Sequence, residues 1–445
     1  MQFLQITAMD LNNLINKIGI KQKEENKALN EYIENSNKNK EKLENLLSRF
    51  SEIINDNNAN ELFEEEMINE YYNYLNKNID DFDADSINIM NYQSICKIIG
   101  NDYSTNAKFG LFLSALINKN IKNGEEIQLN LPIPVNYLFY KLENAKAHVN
   151  IAGDYLGDRA KNSKIYADEA MNYAGEDLEE CELHVKKAQN YLGTSAKNSK
   201  IYTDEAGDNT GENIEGCELH VNISDYYLGE NSKSSKIYAN RSRDNIGCYM
   251  NGCELHVNIA GDYLGNGAKN SEIYANQAGD DAGWFIEKCK LSVKKASKYL
   301  GFGAKNSKIF TNQAGDYAGR SIEKCELHVA IASDYLGDSA KNSEIYADKA
   351  KNYAGTDSVE CKLYLKKAGN YLGFKAKNSE IYVDEVGDDA GSHMEDSELY
   401  IYKLKGGLDE SCLKRNNKIY LGKRSYYQHP LRYKLIGVKK WEKRI

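Results

Sequence analysis

The chain has 445 residues, 41% of them hydrophobic, and a formal charge of −9 at pH 7. That is too apolar for a disordered chain, and the acidic balance argues against a general nucleic-acid binder. No run of 18 apolar residues occurs, and the start, MQFLQITAMDLNNLINKIG, has no basic stretch leading into an apolar one; neither a membrane span nor a secretion signal is expected, and the reading is of a cytoplasmic protein.

The first 121 residues read as helical. DLNNLINKIGI opens the chain, and in KLENLLSRFSEII the residues Leu43, Leu46, Leu47, Phe50, Ile53 and Ile54 follow helical spacing. Between them, 21–42 is either a solvated helix or a helical linker. ELFEEEMINEYYNYL is a further helix with an acidic side. AKFGLFLSALINKNI at 107–121 is the most apolar and directly precedes EEIQLNL, a first strand. It is expected to be the lid on the first coil of a stack of strands, because such a stack, left open, needs a cap.

From Ala152 to Lys403 the chain repeats every 18 residues, in 14 units without insertion. Counting Ala152 as position 1, position 6 is always glycine, from Gly157 and Gly175 to Gly373 and Gly391. Position 14 alternates between isoleucine and leucine, from Ile165 and Leu183 to Ile381 and Leu399, and position 12 is Ser or Cys. A worn unit, PVNYLFYKLENAKAHVNI, precedes at 134–151. Such a period means that no unit buries its own apolar face, so each must stack on the next.

Two stacked forms compete. As a helix, each unit makes five turns, with positions 1, 5, 9, 12 and 16 in one stripe. Position 14 would then lie opposite that stripe, and a glycine in each unit would cost roughly 1 kcal/mol relative to alanine, about 14 kcal/mol in sum. As a strand, positions 12, 14 and 16 point inward and 13, 15 and 17 outward. Position 3 is Asp or Asn in 12 of 14 units, as at Asp154, Asp262 and Asp388, which suits a tight turn. The expected fold is therefore mainly β, a parallel β-helix over 122–421 with regular coils at 152–403 and worn coils at both ends. A second period of 36 follows if positions 5 and 9 face each other, because the large residue changes sides between Leu264 with Ala268 and Ala282 with Ile286.

Candidate chemistry meets the same geometry. His148, His184, His220, His256 and His328 share position 15, two coils or more apart. At ~4.8 Å per coil neighbouring histidines are roughly 9.6 Å apart, too far to share a zinc bound at about 2.0–2.1 Å from each nitrogen. A surface ladder of aromatic and imidazole rings is expected, and no metal. Cys181, Cys217, Cys253, Cys289, Cys325 and Cys361 share the inward position 12 of alternate coils, beyond the ~7 Å limit for a disulfide. With Cys96, Cys248 and Cys412 they number nine, read as free thiols of a reducing cytoplasm. No Gly-Lys-Ser/Thr ending makes a phosphate cradle of the glycines. Charges at position 13 are opposite in nine of 13 neighbouring pairs, as at Lys164 and Glu182, which suits a solvated, paired face rather than a carboxylate cleft. No catalytic residue and no cofactor is expected. The clearest break in the repeat, NSKSSKIYANRSRDNIGCYMNG at 231–252, offers Arg241, Arg243 and Tyr249 as a specific contact.

AGDYLG..A and AGDYAG..I, each followed by a short strand, resemble the glycine-repeat (GXGXG) right-handed β-helix found in glutamate synthase large subunits and in formylmethanofuran dehydrogenase. The resemblance covers about 152–403 and implies a scaffold that holds other parts. Family members carry Gly-Gly before the strand, where this chain has Asn162-Ser163 or Lys324-Cys325. No catalytic residue carries over.

The acidic bulk ends in a basic tail. Lys414, Arg415, Lys418, Lys423, Arg424, Arg432, Lys434, Lys439, Lys440, Lys443 and Arg444 face a single acid, Glu442, and are interleaved with aromatic residues including Trp441. NNKIYLGK reads as a last worn strand, after which 422–445 is a cap or a binding segment for an anionic partner. The cap is the preferred reading, since the rest of the chain is acidic and repels a polyanion. The function expected is that of a non-catalytic scaffold or protein-interaction module. The alternatives are a structural part of a larger redox or amidotransferase-type complex, and anionic-polymer binding through the tail.

Overall fold

The computed structural model describes Ser48, 65–78 and 102–422. The two first helices expected from the sequence, the interval 21–42 and the tail from 423 onward lie outside the described residues, Ser48 excepted. Helix α1 spans Glu65–Asn78 and helix α2 Tyr103–Asn120. After them, 17 parallel strands form one sheet, from β1 (Glu126–Leu129) to β17 (Lys418–Leu421), each paired with the next in sequence. All strands between these two have seven residues, from β2 (Lys146–Ala152) to β16 (Glu398–Leu404). The fold is a β-solenoid, and the register advances by 18 residues, as in Lys164 against Glu182. Only the terminal steps differ, with Glu126 against Lys146 and Glu398 against Lys418.

Each coil is half strand and half a ladder of left-handed residues. In the coil that begins at Ala152, Tyr155, Gly157, Arg159 and Asn162 have φ of 62°, 67°, 57° and 49°, and these four positions repeat through the stack. The alternation aims successive N–H groups at opposite neighbours. Tyr155 donates to Asn172 O at 2.9 Å in the coil ahead, whereas Gly157 donates to Leu138 O at 2.8 Å in the coil behind. Every coil thereby satisfies its backbone on both sides without needing a second regular sheet.

The core is a column one coil wide. Leu156, Ala160 and Ile165 of one coil, and Ala174, Leu178 and Leu183 of the next, are fully buried. The glycine at position 6 and the branched residue at position 14 make a single contact: a Cβ on Gly265 would collide with Ile273 Cδ1, and one on Gly283 with Leu291 Cδ2. The worn coil at 134–151 reverses the sizes. Phe139 occupies the glycine position at φ 61° and Ala147 stands where the branched residue would be, both fully buried. The volume is kept and its source exchanged.

Polar ladders close the corners. Cys181 N–H donates to Ser199 Oγ at 3.0 Å, and Ser199 N–H to Cys217 Sγ at 3.4 Å, so the alternating Ser and Cys of position 12 satisfy one another's backbone. The Asp and Asn of position 3 act alike: Asp262 N–H donates to Asp244 Oδ1 and Asp280 N–H to Asp262 Oδ1.

Helix α2 lies across the first coil. Its N-cap is Asp102, whose Oδ2 accepts from Thr105 N–H at 2.7 Å. Along the helix, Asn106 donates to Pro134 O and accepts from Asn136 N–H. Ser114 donates to Tyr137 O and accepts from Tyr140 N–H, and Asn118 donates to Tyr140 O and Lys141 O. Gly110 lets the helix backbone come so close that any Cβ there would overlap Asn136 O. Helix α1 packs on the outside, with Tyr72 Oη accepting from Asn118 at 2.6 Å.

Leu264→Ala should cost about 2–5 kcal/mol, and adding Ala268→Leu should restore part of it, as read by urea denaturation. Strict additivity of the two changes would show that the positions do not share a space.

Candidate interaction surfaces

The outward half of the strand carries the histidine ladder. His148, Tyr166, His184, Tyr202 and His220 stack with ring centroids 4.5 to 4.9 Å apart, and the column continues to Tyr274. It breaks at Ser292 and resumes from Phe310 to Tyr420. Each of four histidines bonds through Nε2 to the glutamate two residues earlier, as His184 to Glu182 at 2.7 Å and His328 to Glu326 at 2.6 Å. Lys164 and Lys308 reach the same carboxylates, at 2.7 and 2.9 Å. Burial alone would raise Glu182 and Glu326, but these partners hold both below the usual carboxylate range. The surface expectation needs correction at two rungs. His256 and His328 are only 4% and 2% exposed.

The thiols of Cys181, Cys217, Cys253, Cys289, Cys325 and Cys361 are buried and free. Burial pushes Cys181 and Cys325 up to about 11, which leaves them protonated and unreactive at neutral pH. Among the described residues no three His, Cys, Asp or Glu side chains are grouped to hold a metal ion, and no helix is long and apolar enough to cross a membrane.

The residues singled out at 231–252 are placed apart. Arg243 pairs with Asp225 at 3.1 Å and lies 5.5 Å from the Tyr226 ring centroid. Arg241 projects outward from the strand between Ile223 and Ile259 of the adjoining coils. Tyr249 is 58% exposed on the opposite run of the coil, its ring lying where a Cβ of Gly267 would be. No hydrogen bond, ion pair or ring contact joins the three. At the far end, Lys418 pairs with Glu398 at 2.9 Å, Lys414 closes a short 3-10 helix (Glu410–Leu413), and Arg415 O accepts from Asp396 N–H. Lys423, Arg424, Arg432, Lys434, Lys439, Lys440, Trp441, Lys443 and Arg444 lie outside the described residues.

Two features on the left-handed edge were not anticipated. Trp284, Phe285 and Phe302 meet Tyr263 and Tyr299 in one aromatic cluster, with Phe285 54% exposed over Gly303. The signal was present in GWFIEK, with two aromatic residues after the glycine where most sister units have polar ones. Nearer the lid, Asp158 is 6% exposed and its Oδ1 has no hydrogen-bond partner. Burial, with Glu176 and Asp177 beside it, pushes its carboxyl up to about 8, against the opposing pull of Lys141; the Arg159 Nε is 3.8 Å away.

Asp158 therefore binds a proton in the folded state over a range where the unfolded carboxyl, at about 3.9, has lost it. The sign follows: stability falls as pH rises from about 4 to about 8. Asp158→Asn should remove that slope and gain about 1–3 kcal/mol at pH 8 while changing little at pH 4. Parallel denaturation curves of the two proteins at all pH values would refute the assignment.

No protein-family model matches the chain, and no curated protein and no solved structure is significantly similar to it.

Proposed function

We propose that the protein is a non-catalytic solenoid scaffold that presents binding surfaces to other proteins, in the cytoplasm. The observation that carries this reading is how the outward side chains are spent. Histidines, tyrosines, lysines and glutamates of the strand face are engaged coil to coil in stacks and ion pairs, so the regular face is committed to holding the stack. The left-handed edge carries exposed aromatic departures from the repeat, Tyr249 and Phe285, residue types enriched at protein interfaces. The buried, protonated thiols fit a reducing compartment.

The glycine-repeat resemblance, carried by the AGDYLG-type motif with its glycine at position 6, supports a second reading, a structural part of a larger redox or amidotransferase-type complex. Anionic-polymer binding through the basic tail is third. The test is affinity purification of the tagged full chain from native lysate, with and without nuclease. The scaffold reading expects protein partners at near-stoichiometric yield that survive nuclease. Retention of nucleic acid alone, or of nothing, would overturn it.

A further inference from the structure

A second aromatic column runs along position 4 of the left-handed edge. Tyr155, Tyr173 and Tyr191 stack at 4.9 and 4.5 Å, and Tyr299, Tyr317, Tyr335, Tyr353 and Tyr371 at 4.7 to 5.2 Å. Between these runs the column loses rungs, with Asn209 and Asn245 at position 4 on either side of Tyr227. Tyr227 is 40% exposed and stacks on no other ring among the described residues. Beside the Asn245 interval stands the Cys248 thiol, its Sγ 3.5 Å from Tyr263 O. The Asn209 interval is one rung deep, about 9.6 Å between Tyr191 and Tyr227 at two coil spacings, with the Asn209 amide in place of a ring and carboxylates rather than a thiol beside it.

The flank of that interval is acidic. Position 7 of the Asn209 coil is Glu212, and position 7 of the next coil is Glu230. Neither carboxylate has an ion-pair partner among the described residues; the side-chain contact of Glu212 is with the Asn213 amide. Burial, with Glu212 beside it, raises the Glu230 carboxyl.

The same edge shows what it accepts when a coil supplies the cation itself. Arg320, at position 7, lies 5.1 Å from the Tyr317 ring centroid and 6.0 Å from that of Phe302, and its Nε is 3.1 Å from Asp338 at position 7 of the next coil. Tyr317 is itself stacked on both faces, by Tyr299 and Tyr335, so Arg320 lies at the rim of an unbroken column; a guanidinium beside a position-4 ring, held by a position-7 carboxylate, is a geometry this scaffold already makes. Around Asn209 the ring and the carboxylates are present, and position 7 of the surrounding coils holds Thr194, Glu212 and Glu230 rather than a base.

We propose that the slot between Tyr191 and Tyr227 binds an arginine side chain of a partner protein. The guanidinium takes the missing rung between two tyrosine faces, and Glu212 and Glu230 accept its N–H groups from the side. Arginine is selected over lysine because only the planar ion fits between two ring faces while turning several N–H donors to carboxylates at its edge. This rests on the scaffold reading and names the chemistry of one of its contacts.

The test uses the full chain and a fluorescein-labelled peptide with one arginine between glycine and serine residues, alongside counterparts carrying lysine or citrulline in its place. Fluorescence anisotropy should show saturable binding of the arginine peptide, at least tenfold tighter than either counterpart. Asn209→Tyr, which completes the column, should abolish binding without lowering the melting temperature, and the pair Glu212→Gln with Glu230→Gln should weaken it at least tenfold. Should Asn209→Tyr fail to fold, Tyr227→Leu carries the same expectation. Equal binding of the lysine peptide, or binding untouched by closing the rung, would overturn the slot. If peptide binding is absent while partners are still retained from lysate, the slot is overturned and the scaffold reading stands.

Discussion

Gly265→Ala should destabilise the protein by about 2–5 kcal/mol, of which ~1–2 kcal/mol is the left-handed backbone penalty and the remainder overpacking. Gly265 sits at φ 69°, and a methyl group there would drive into Ile273 Cδ1. Two other glycines separate the terms. Gly124 has φ 83° but open space around it, so Gly124→Ala should show the backbone penalty alone. Gly407 has open space and no left-handed φ, so Gly407→Ala should be near neutral. Shortening the obstacle should rescue the first: with Ile273→Val in place, Gly265→Ala should cost at least 1 kcal/mol less. The exchange at Phe139 and Ala147 is the natural form of that rescue. Calorimetric or denaturant curves for the five variants and the unaltered protein check the set, and equal costs at Gly265 and Gly407 would dismiss the contact.

Removal of 1–121 should convert the protein into concentration-dependent end-to-end species. Helix α2 supplies the hydrogen-bond partners of Pro134, Asn136, Tyr137, Tyr140 and Lys141 through Asn106, Ser114 and Asn118. It also covers the apolar end of the column with Phe109, Phe112 and Leu116, all buried. A chain starting at 122 exposes that surface and the free edge of the coil together, a template for another strand stack. Light scattering across a dilution series measures it. A truncated chain that stays monodisperse would place the cap elsewhere. The triple variant Asn106→Ala, Ser114→Ala, Asn118→Ala, which keeps the apolar cover, should lower stability by several hydrogen bonds' worth, about 3 kcal/mol, without association.

The repeat alone dictated the stacking. An 18-residue period with glycine at position 6 and a branched residue at position 14 leaves no unit able to bury itself. The alternation of KIYADEA and ELHVKKA assigned the inward and outward faces of every strand. Helix α2 and the strand at 418–421 were legible for the same reason, since local periodicity is written in neighbouring residues. What the sequence could not express was the backbone between the strands. Tyrosine has no preference for φ near 60°, yet Tyr155, Tyr173 and Tyr191 all adopt it, because stacking on the coils above and below and an N–H bond to the next coil outweigh the local cost. The glycine at position 6 hinted at it, and so did Asn162, Asn198 and Asn270 at position 11, asparagine being tolerant of that region. The candidate slot was hidden for a related reason. Asn209 is ordinary in its own unit and becomes a missing rung only when residues 18 apart on either side are set above and below it. The edge chemistry of Glu212 and Glu230 arises from the same vertical neighbourhood, which the chain acquires only by winding.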